Sequence, residues 1–233
     1  MQFQQKLNHI SISQKIQNLL REQIIKQQIK PRTRLVEEDI ARELGVSRTP
    51  VREALSALAQ RGLVVSHPRK GMYVIKLTKN DVDEIYEIRE VLEGLVAYHA
   101  AVQMPNEELQ KLRTMQESAE SAFRIGDLEH CIEIDTSLHD TIMSYSPNSR
   151  LVNLLESIHD QILIFRIWES KRSERVKLSL QEHRAIIEAL CMRNPEMSRN
   201  SMIDHIKRVR IGLLENYPFE DFNDQYRQEL MSE

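Results

Sequence analysis

The sequence predicts a mainly α-helical protein in two parts: three helices closed by a short hairpin, then an antiparallel bundle of six or seven helices. Three observations carry this reading. Only 6 glycines and 7 prolines interrupt 233 residues, and apolar residues recur at three- and four-residue spacing along most of the chain. Strand-like runs occur at one place, around residues 63–75. Charge is unevenly divided: residues 1–78 hold 14 Lys and Arg against 6 Asp and Glu, and the remainder holds 18 against 29. A basic first third joined to an acidic remainder indicates two domains with different partners, 1–77 and 78–233, and a polyanion suits the first.

Composition excludes several classes. With 41% apolar and 29% charged residues the chain can bury a core and is not disordered. No apolar run approaches the roughly 18–20 residues of a membrane span, and Met1-Gln2-Phe3-Gln4-Gln5-Lys6 has no apolar stretch behind it to act as a secretory signal. Cys131 and Cys191 lack CxxC spacing, as expected of reduced thiols in a cytoplasmic protein.

Taken in order, Ile12, Ile16, Leu19, Leu20 and Ile24 line one face of a helix over about 11–28, stopped by Pro31. Val36, Ile40, Ala41 and Leu44 form a second stripe, with Glu37-Glu38-Asp39 where a helix N-terminus favours acids and Gly45 at its end. A third helix starts at Thr49-Pro50, an N-cap followed by proline, and carries Val51, Ala54, Leu55 and Leu58 before Gly62. Leu63-Val64-Val65 and Met72-Tyr73-Val74-Ile75 then read as strands around the turn His67-Pro68-Arg69-Lys70-Gly71.

This order of elements is that of a winged helix-turn-helix. Its third helix has the width to enter the DNA major groove, with its N-terminal turn facing the base edges. Arg48 and Arg52 lie four apart on that turn, and a guanidinium fork can pair bidentately with guanine. The Ser47 and Thr49 hydroxyls fall where phosphates would pass, while Arg69 and Lys70 at the hairpin tip would reach the neighbouring backbone or minor groove. Residues 11–76 resemble the DNA-binding domain of the GntR superfamily of bacterial regulators, through Leu35-Val36-Glu37-Glu38-Asp39-Ile40-Ala41-Arg42-Glu43-Leu44-Gly45-Val46-Ser47-Arg48-Thr49-Pro50-Val51-Arg52-Glu53-Ala54-Leu55 and the wing Gly71. The resemblance implies that Arg48 and Arg52 read an operator and that Gly71 lets the wing approach DNA. It does not extend to Glu38, where some members carry a DNA-contacting arginine.

From Thr78, which forms a capping-box pattern with Asp81, amphipathic helices are expected to about residue 103 and then near 106–125, 127–145, 148–170, 173–192 and 195–216, broken at Pro105, Gly126, Pro147 and Pro195. Polar groups interrupt their apolar faces. Asp135 and His139 are i,i+4 neighbours, His183 precedes Ile186, and His205 lies between Met202 and Val209. Such a set could close around one divalent ion, imidazole suiting Zn, Ni, Co or Fe and the carboxylate also admitting Mn. Spacing alone leaves open that each histidine is a structural one. His9, His67, His99, His130 and His159 remain candidates too.

Residues about 79–216 resemble the FCD ligand-binding domain of FadR-like regulators. The matching pieces are Glu84-Ile85-Tyr86-Glu87-Ile88-Arg89-Glu90-Val91-Leu92-Glu93, Asp135-x-x-x-His139, Glu182-His183-Arg184-Ala185-Ile186-Ile187-Glu188-Ala189-Leu190 and Met202-x-x-His205. The resemblance implies a divalent ion on Asp135, His139, His183 and His205, with a small carboxylate beside it. Arg89 shares the face of Ile85 and Leu92, so its charge needs an anion: an effector carboxylate, or an ion pair with an acid such as Glu93. Arg166, beside Ile162 and Phe165, is a second effector-binding candidate.

The expected function is a cytoplasmic transcription regulator, a repressor binding a palindromic DNA operator as a homodimer under control of a metal-bound organic acid. A metal-responsive regulator without organic effector is the alternative. A di-iron bundle enzyme would need two Glu-x-x-His motifs, and only Glu156-Ser157-Ile158-His159 fits that pattern.

Overall fold

A computed structural model of the protein describes residues 11–219. His9 and the first six residues lie outside that range. The first helix, α1 (Ile12–Ile25), starts where Ser11 accepts a hydrogen bond from the Gln14 amide, and it buries Ile16, Leu20, Ile24 and Ile25. It ends three residues before the expected limit: Gln27 takes a left-handed φ of 57°, which no helix interior tolerates. A two-residue strand, β1 (Arg34–Leu35), leads into α2 (Glu37–Leu44), closed by Gly45 in the left-handed conformation.

Helix α3 (Arg48–Gln60) begins two residues earlier than the Thr49-Pro50 signal suggests. Ser47 is the extended N-cap residue, so Pro50 falls on the third helical position, still within the first turn where no amide needs an intrahelical partner. Strands β2 (Val64–His67) and β3 (Gly71–Val74) pair antiparallel, His67 opposite Gly71, and β1 adds to the other edge of β3. The sequence reading missed β1, because two residues cannot display an alternation.

The second part contains six helices among the described residues: α4 (Lys79–Gln103), α5 (Asn106–Arg124), α6 (Leu128–Ser144), α7 (Ser149–Glu169), α8 (Ser173–Cys191) and α9 (Pro195–Asn216). The Thr78–Asp81 capping box is present in full. Helix α4 packs most extensively along α9. The two backbones come close at Gly94, where a Cβ would stand 2.7 Å from Cγ1 of Ile203. One continuous buried cluster runs from Leu20 and Leu55 in the first part to Tyr86, Phe165 and Leu213 in the second.

Helix α7 joins the two parts through charge. The Asp160 carboxylate, 1% exposed, accepts hydrogen bonds from Arg21 of α1 and from Arg61 at the C-terminus of α3. Its neighbour Gln161 donates to the carbonyl of Gly62 at 3.1 Å. Burial alone would raise the Asp160 carboxyl, but the two guanidinium groups hold it below its usual range. Replacing Asp160 by Ala should therefore cost about 1–3 kcal/mol, because two partly covered cations lose their acceptor. Chemical denaturation of the full chain checks this, and an unchanged midpoint would mean that the contact adds nothing to the joint.

Candidate functional site

The first candidate surface is the N-terminal turn of α3. Ser47, Arg48, Thr49 and Arg52 are all exposed there. Arg48 reaches the Glu38 carboxylate at 2.6 Å, and Arg52 donates from Nε and Nη2 to Glu37 at 3.0–3.1 Å. Arg48 and Arg52 thus each lean on an acid of α2. Exposed ion pairs of this kind contribute little, so they orient the guanidinium groups without locking them away from a duplex. In the wing, Arg69 and Gly71 both have left-handed φ, 61° and 103°. A side chain at position 71 would be strained there by its backbone conformation alone. Tyr73 steadies the tip by donating its hydroxyl to the Lys70 carbonyl at 3.3 Å.

The second candidate site lies inside the bundle, where α6, α8 and α9 bring His139, His183 and His205 together. All three are buried, and one nitrogen from each lies within 4.8 Å of the others. Nδ1 of His139 contacts Glu93 of α4 at 2.7 Å, and Nδ1 of His205 contacts Glu182 of α8 at 2.8 Å. Both carboxylates are held below their usual range despite burial. Arg89 and His139 do this for Glu93, while His205 and Arg175 bring Glu182 down to about 2. Each can therefore only accept, so the Nδ1 of each ring carries a proton and donates it. Nε2 of His139 has no hydrogen-bond partner, and Nε2 of His183 lies 3.4 Å from Nε2 of His205. Burial lowers the pKa of His205 to about 4 and that of His183 well below its usual value, so both rings are neutral at neutral pH.

Asp135 stands beside this trio, with Oδ1 3.3 Å from Nε2 of His183 and Oδ2 3.3 Å from Nε of Arg166. Three buried imidazoles brought together beside a carboxylate fit a divalent cation, with Glu93 and Glu182 as the outer partners such ligands require. Of the other described histidines, His99 contacts Ser146 and His130 contacts Glu133, while His159 faces Asp140 at 3.8 Å and lines a second cavity with Glu93, His139 and Arg166. His67 packs on the Tyr73 ring.

A cavity opens beside the trio, lined by Asp135, His183 and His205, by Arg89, Arg166 and Arg175, and by an apolar wall including Ala119, Val176 and Leu180. Arg89, 1% exposed, donates to Glu93 at 2.6 Å, which is the internal ion pair considered above, while it also lines the cavity. Arg175 pairs with Glu182 at 2.7 Å. The centre is thus layered, with two imidazoles backed by glutamates, those glutamates backed by arginines, and Asp135 backed directly by Arg166. Sequence reasoning missed Glu182, Arg175 and Glu169 as parts of this region. A signal existed for two of them, since Arg175 and Glu182 are seven apart, hence on one helix face, next to His183.

Both parts of the chain match described families. Residues 12–74 match the family described as bacterial regulatory proteins, gntR family, and residues 84–208 match the FCD domain. The HTH-type transcriptional regulator YdhC of Bacillus subtilis is 34% identical over 81% of this chain and 84% of its own length. The HTH-type transcriptional repressor RspR of Escherichia coli is 26% identical over 85% and 87%. A probable D-xylose utilization operon transcriptional repressor of Paenarthrobacter nicotinovorans is 27% identical over 73% and 74%. Among solved structures, E. coli McbR/YncC superposes with a TM-score of 0.73 at 23% identity, over 89% of this chain and 98% of that one, a likeness of fold. These relatives regulate transcription, and the enzyme alternative raised by Glu156-x-x-His159 falls with them. The chain belongs to the GntR family of bacterial regulators, to the members that carry an FCD domain, and it is a DNA-binding transcription regulator.

Proposed function

We propose that this regulator is a repressor that binds a palindromic operator as a homodimer, and that a small carboxylate held at a divalent-metal centre controls the binding. Two relatives bear the name of repressors, and two-fold operators match two-fold proteins. The centre would be formed by Asp135, His139, His183 and His205. The observation that carries this reading is the set of three buried imidazoles whose ligand nitrogens lie within 4.8 Å of one another, with His139 Nε2 left without a partner. Burying such a polar atom unmet is costly. A bound ion, zinc being the usual choice for imidazole and Ni, Mn, Fe or Co being compatible, supplies the positive charge that draws a carboxylate into the cavity. Arg166 keeps Asp135 ionised for this role, since its guanidinium outweighs the effect of burial on that carboxyl. No helix among the described residues is long and apolar enough to cross a membrane, in keeping with a cytoplasmic site of action.

A second reading, regulation by metal alone, is favoured by one observation: Arg89, Arg166 and Arg175 already have carboxylate partners inside the chain. Operator affinity measured with metal and no organic acid separates the two. A full response to metal alone supports the second.

On the DNA side, Arg52→Ala should weaken the specific site by about 1–3 kcal/mol and flatten base preference at one position per half-site. Lys70→Ala should weaken all sequences alike and reduce the salt slope by about one ion. Selection of binding sequences from a random duplex pool followed by titration checks both, and wild-type specificity in Arg52→Ala would refute the reading face. On the metal side, chelation should lower the melting temperature of the wild-type protein. His205→Ala should melt at the same temperature with or without chelator while retaining non-specific DNA binding. A wild-type melting temperature unmoved by verified metal removal would make these histidines structural.

A further inference from the structure

Among the described residues, four buried side-chain polar atoms lack a hydrogen-bond partner: Tyr86 Oη, His139 Nε2, Glu169 Oε1 and Arg175 Nε. The metal centre accounts for His139. Glu169 and Arg175 belong to the wall of the same cavity, one at the end of α7 and the other in the first turn of α8, and they are 7% and 6% exposed. The terminal nitrogens of Arg175 are both spent on Glu182, at 3.3 and 2.7 Å. Its Nε points toward Glu169 but stops 3.8 Å from Oε2, beyond hydrogen-bond range. Oε1 of Glu169 has the backbone of Gly212 behind it, where a Cβ would lie only 3.5 Å away. An unmet donor and an unmet acceptor therefore stand side by side in the cavity wall.

We infer that Glu169 and Arg175 form a hydroxyl-reading subsite and that the ligand is a hydroxy-carboxylate, its carboxylate at the metal centre and its hydroxyl between these two side chains. The inference rests on the metal–carboxylate reading above and adds the specificity of the second end. A carboxylate only accepts and an ammonium only donates, whereas a hydroxyl does both at one atom. It can accept from Arg175 Nε and donate to Glu169 Oε1 at once. Charge favours the same choice. Arg89, Arg166 and Arg175 are already matched by Glu93, Asp135 and Glu182, and burial raises the Glu169 carboxyl to about 7, so the wall has no spare cation to hold a second ligand carboxylate. The apolar wall of Ala119, Val176 and Leu180 suits a short carbon skeleton between the two polar ends. A site built to bond a hydroxyl discriminates strongly against an analogue that lacks it, because its own buried groups are then left unpaired.

The test is calorimetry on the full-length, zinc-loaded protein, with zinc content verified by elemental analysis, using butyrate, its 2-, 3- and 4-hydroxy isomers, succinate and succinamate. We expect one hydroxy isomer to bind at least about tenfold tighter than butyrate and tighter than succinate or succinamate. In Glu169→Leu that preference should fall to within about twofold while zinc content and butyrate affinity stay near the wild-type values. Should Glu169→Leu not fold, the wild-type profile decides alone. Hydroxy isomers indistinguishable from butyrate, a gain confined to succinate or succinamate, or a preference surviving in Glu169→Leu would each overturn the subsite and leave the metal–carboxylate reading standing. Failure of every acid, butyrate included, to bind the zinc-loaded protein would remove that reading and the inference with it.

Discussion

An imidazole can offer a bare nitrogen to a cavity only if its other nitrogen holds the proton, and in this protein Glu93 and Glu182 enforce that on His139 and His205. The arrangement of the bundle follows from this constraint. A carboxylate buried beside a neutral ring stays ionised only with a cation at its back, so Arg89 must lie one turn from Glu93 on α4 and Arg175 two turns from Glu182 on α8. Those pairs in turn require α4, α6, α8 and α9 to meet at one level. The close α4–α9 approach at Gly94 is one place where the backbone accommodates that meeting.

Much of this was legible in the sequence, for identifiable reasons. Each bundle helix announced itself by a stripe such as Leu151, Leu155, Ile162 and Phe165, and most connections hold a proline or glycine, so the observed limits differ by a residue or two at most positions. The four residues considered for the metal stood out because a polar group on an apolar face is anomalous. What lay hidden were relations between helices. Nothing in one stretch of sequence tells that Glu93 will face His139, forty-six positions later, or that Asp160 will meet Arg21 and Arg61. Glu169 and Arg175 are close in sequence, yet the turn after α7 separates them, so no helical period relates the two. Strand β1 was invisible because a two-residue element has no pattern of its own.

Helix α7 is a single rigid element with three assignments. Its middle grips the winged helix through Asp160 and Gln161, Arg166 holds Asp135 beside the imidazole trio, and Glu169 closes the cavity at its end. From Asp160 to Glu169 is about 14 Å of continuous helix, at 1.5 Å per residue. Interior packing is too dense to absorb a displacement at one end silently, so a shift of Arg166 or Glu169 reaches Asp160 with little loss.

Where α7 takes hold of the recognition helix has a mechanical consequence. Asp160 and Gln161 contact Arg61 and Gly62, just past the C-terminus of α3, whereas Arg48 occupies the opposite end of that thirteen-residue helix. The helix is therefore a lever about 20 Å long, held at its butt, with Arg48 and Arg52 at its tip. A tilt of about 5° at the grip displaces the tip by roughly 1.7 Å, more than a bidentate hydrogen bond tolerates. If Arg48 and Arg52 read the bases as proposed, a change in the cavity would not need to unfold, release or reposition the winged helix as a whole to alter what it recognises: a rotation too small to disturb its core would be enough to take its arginines out of register with the bases.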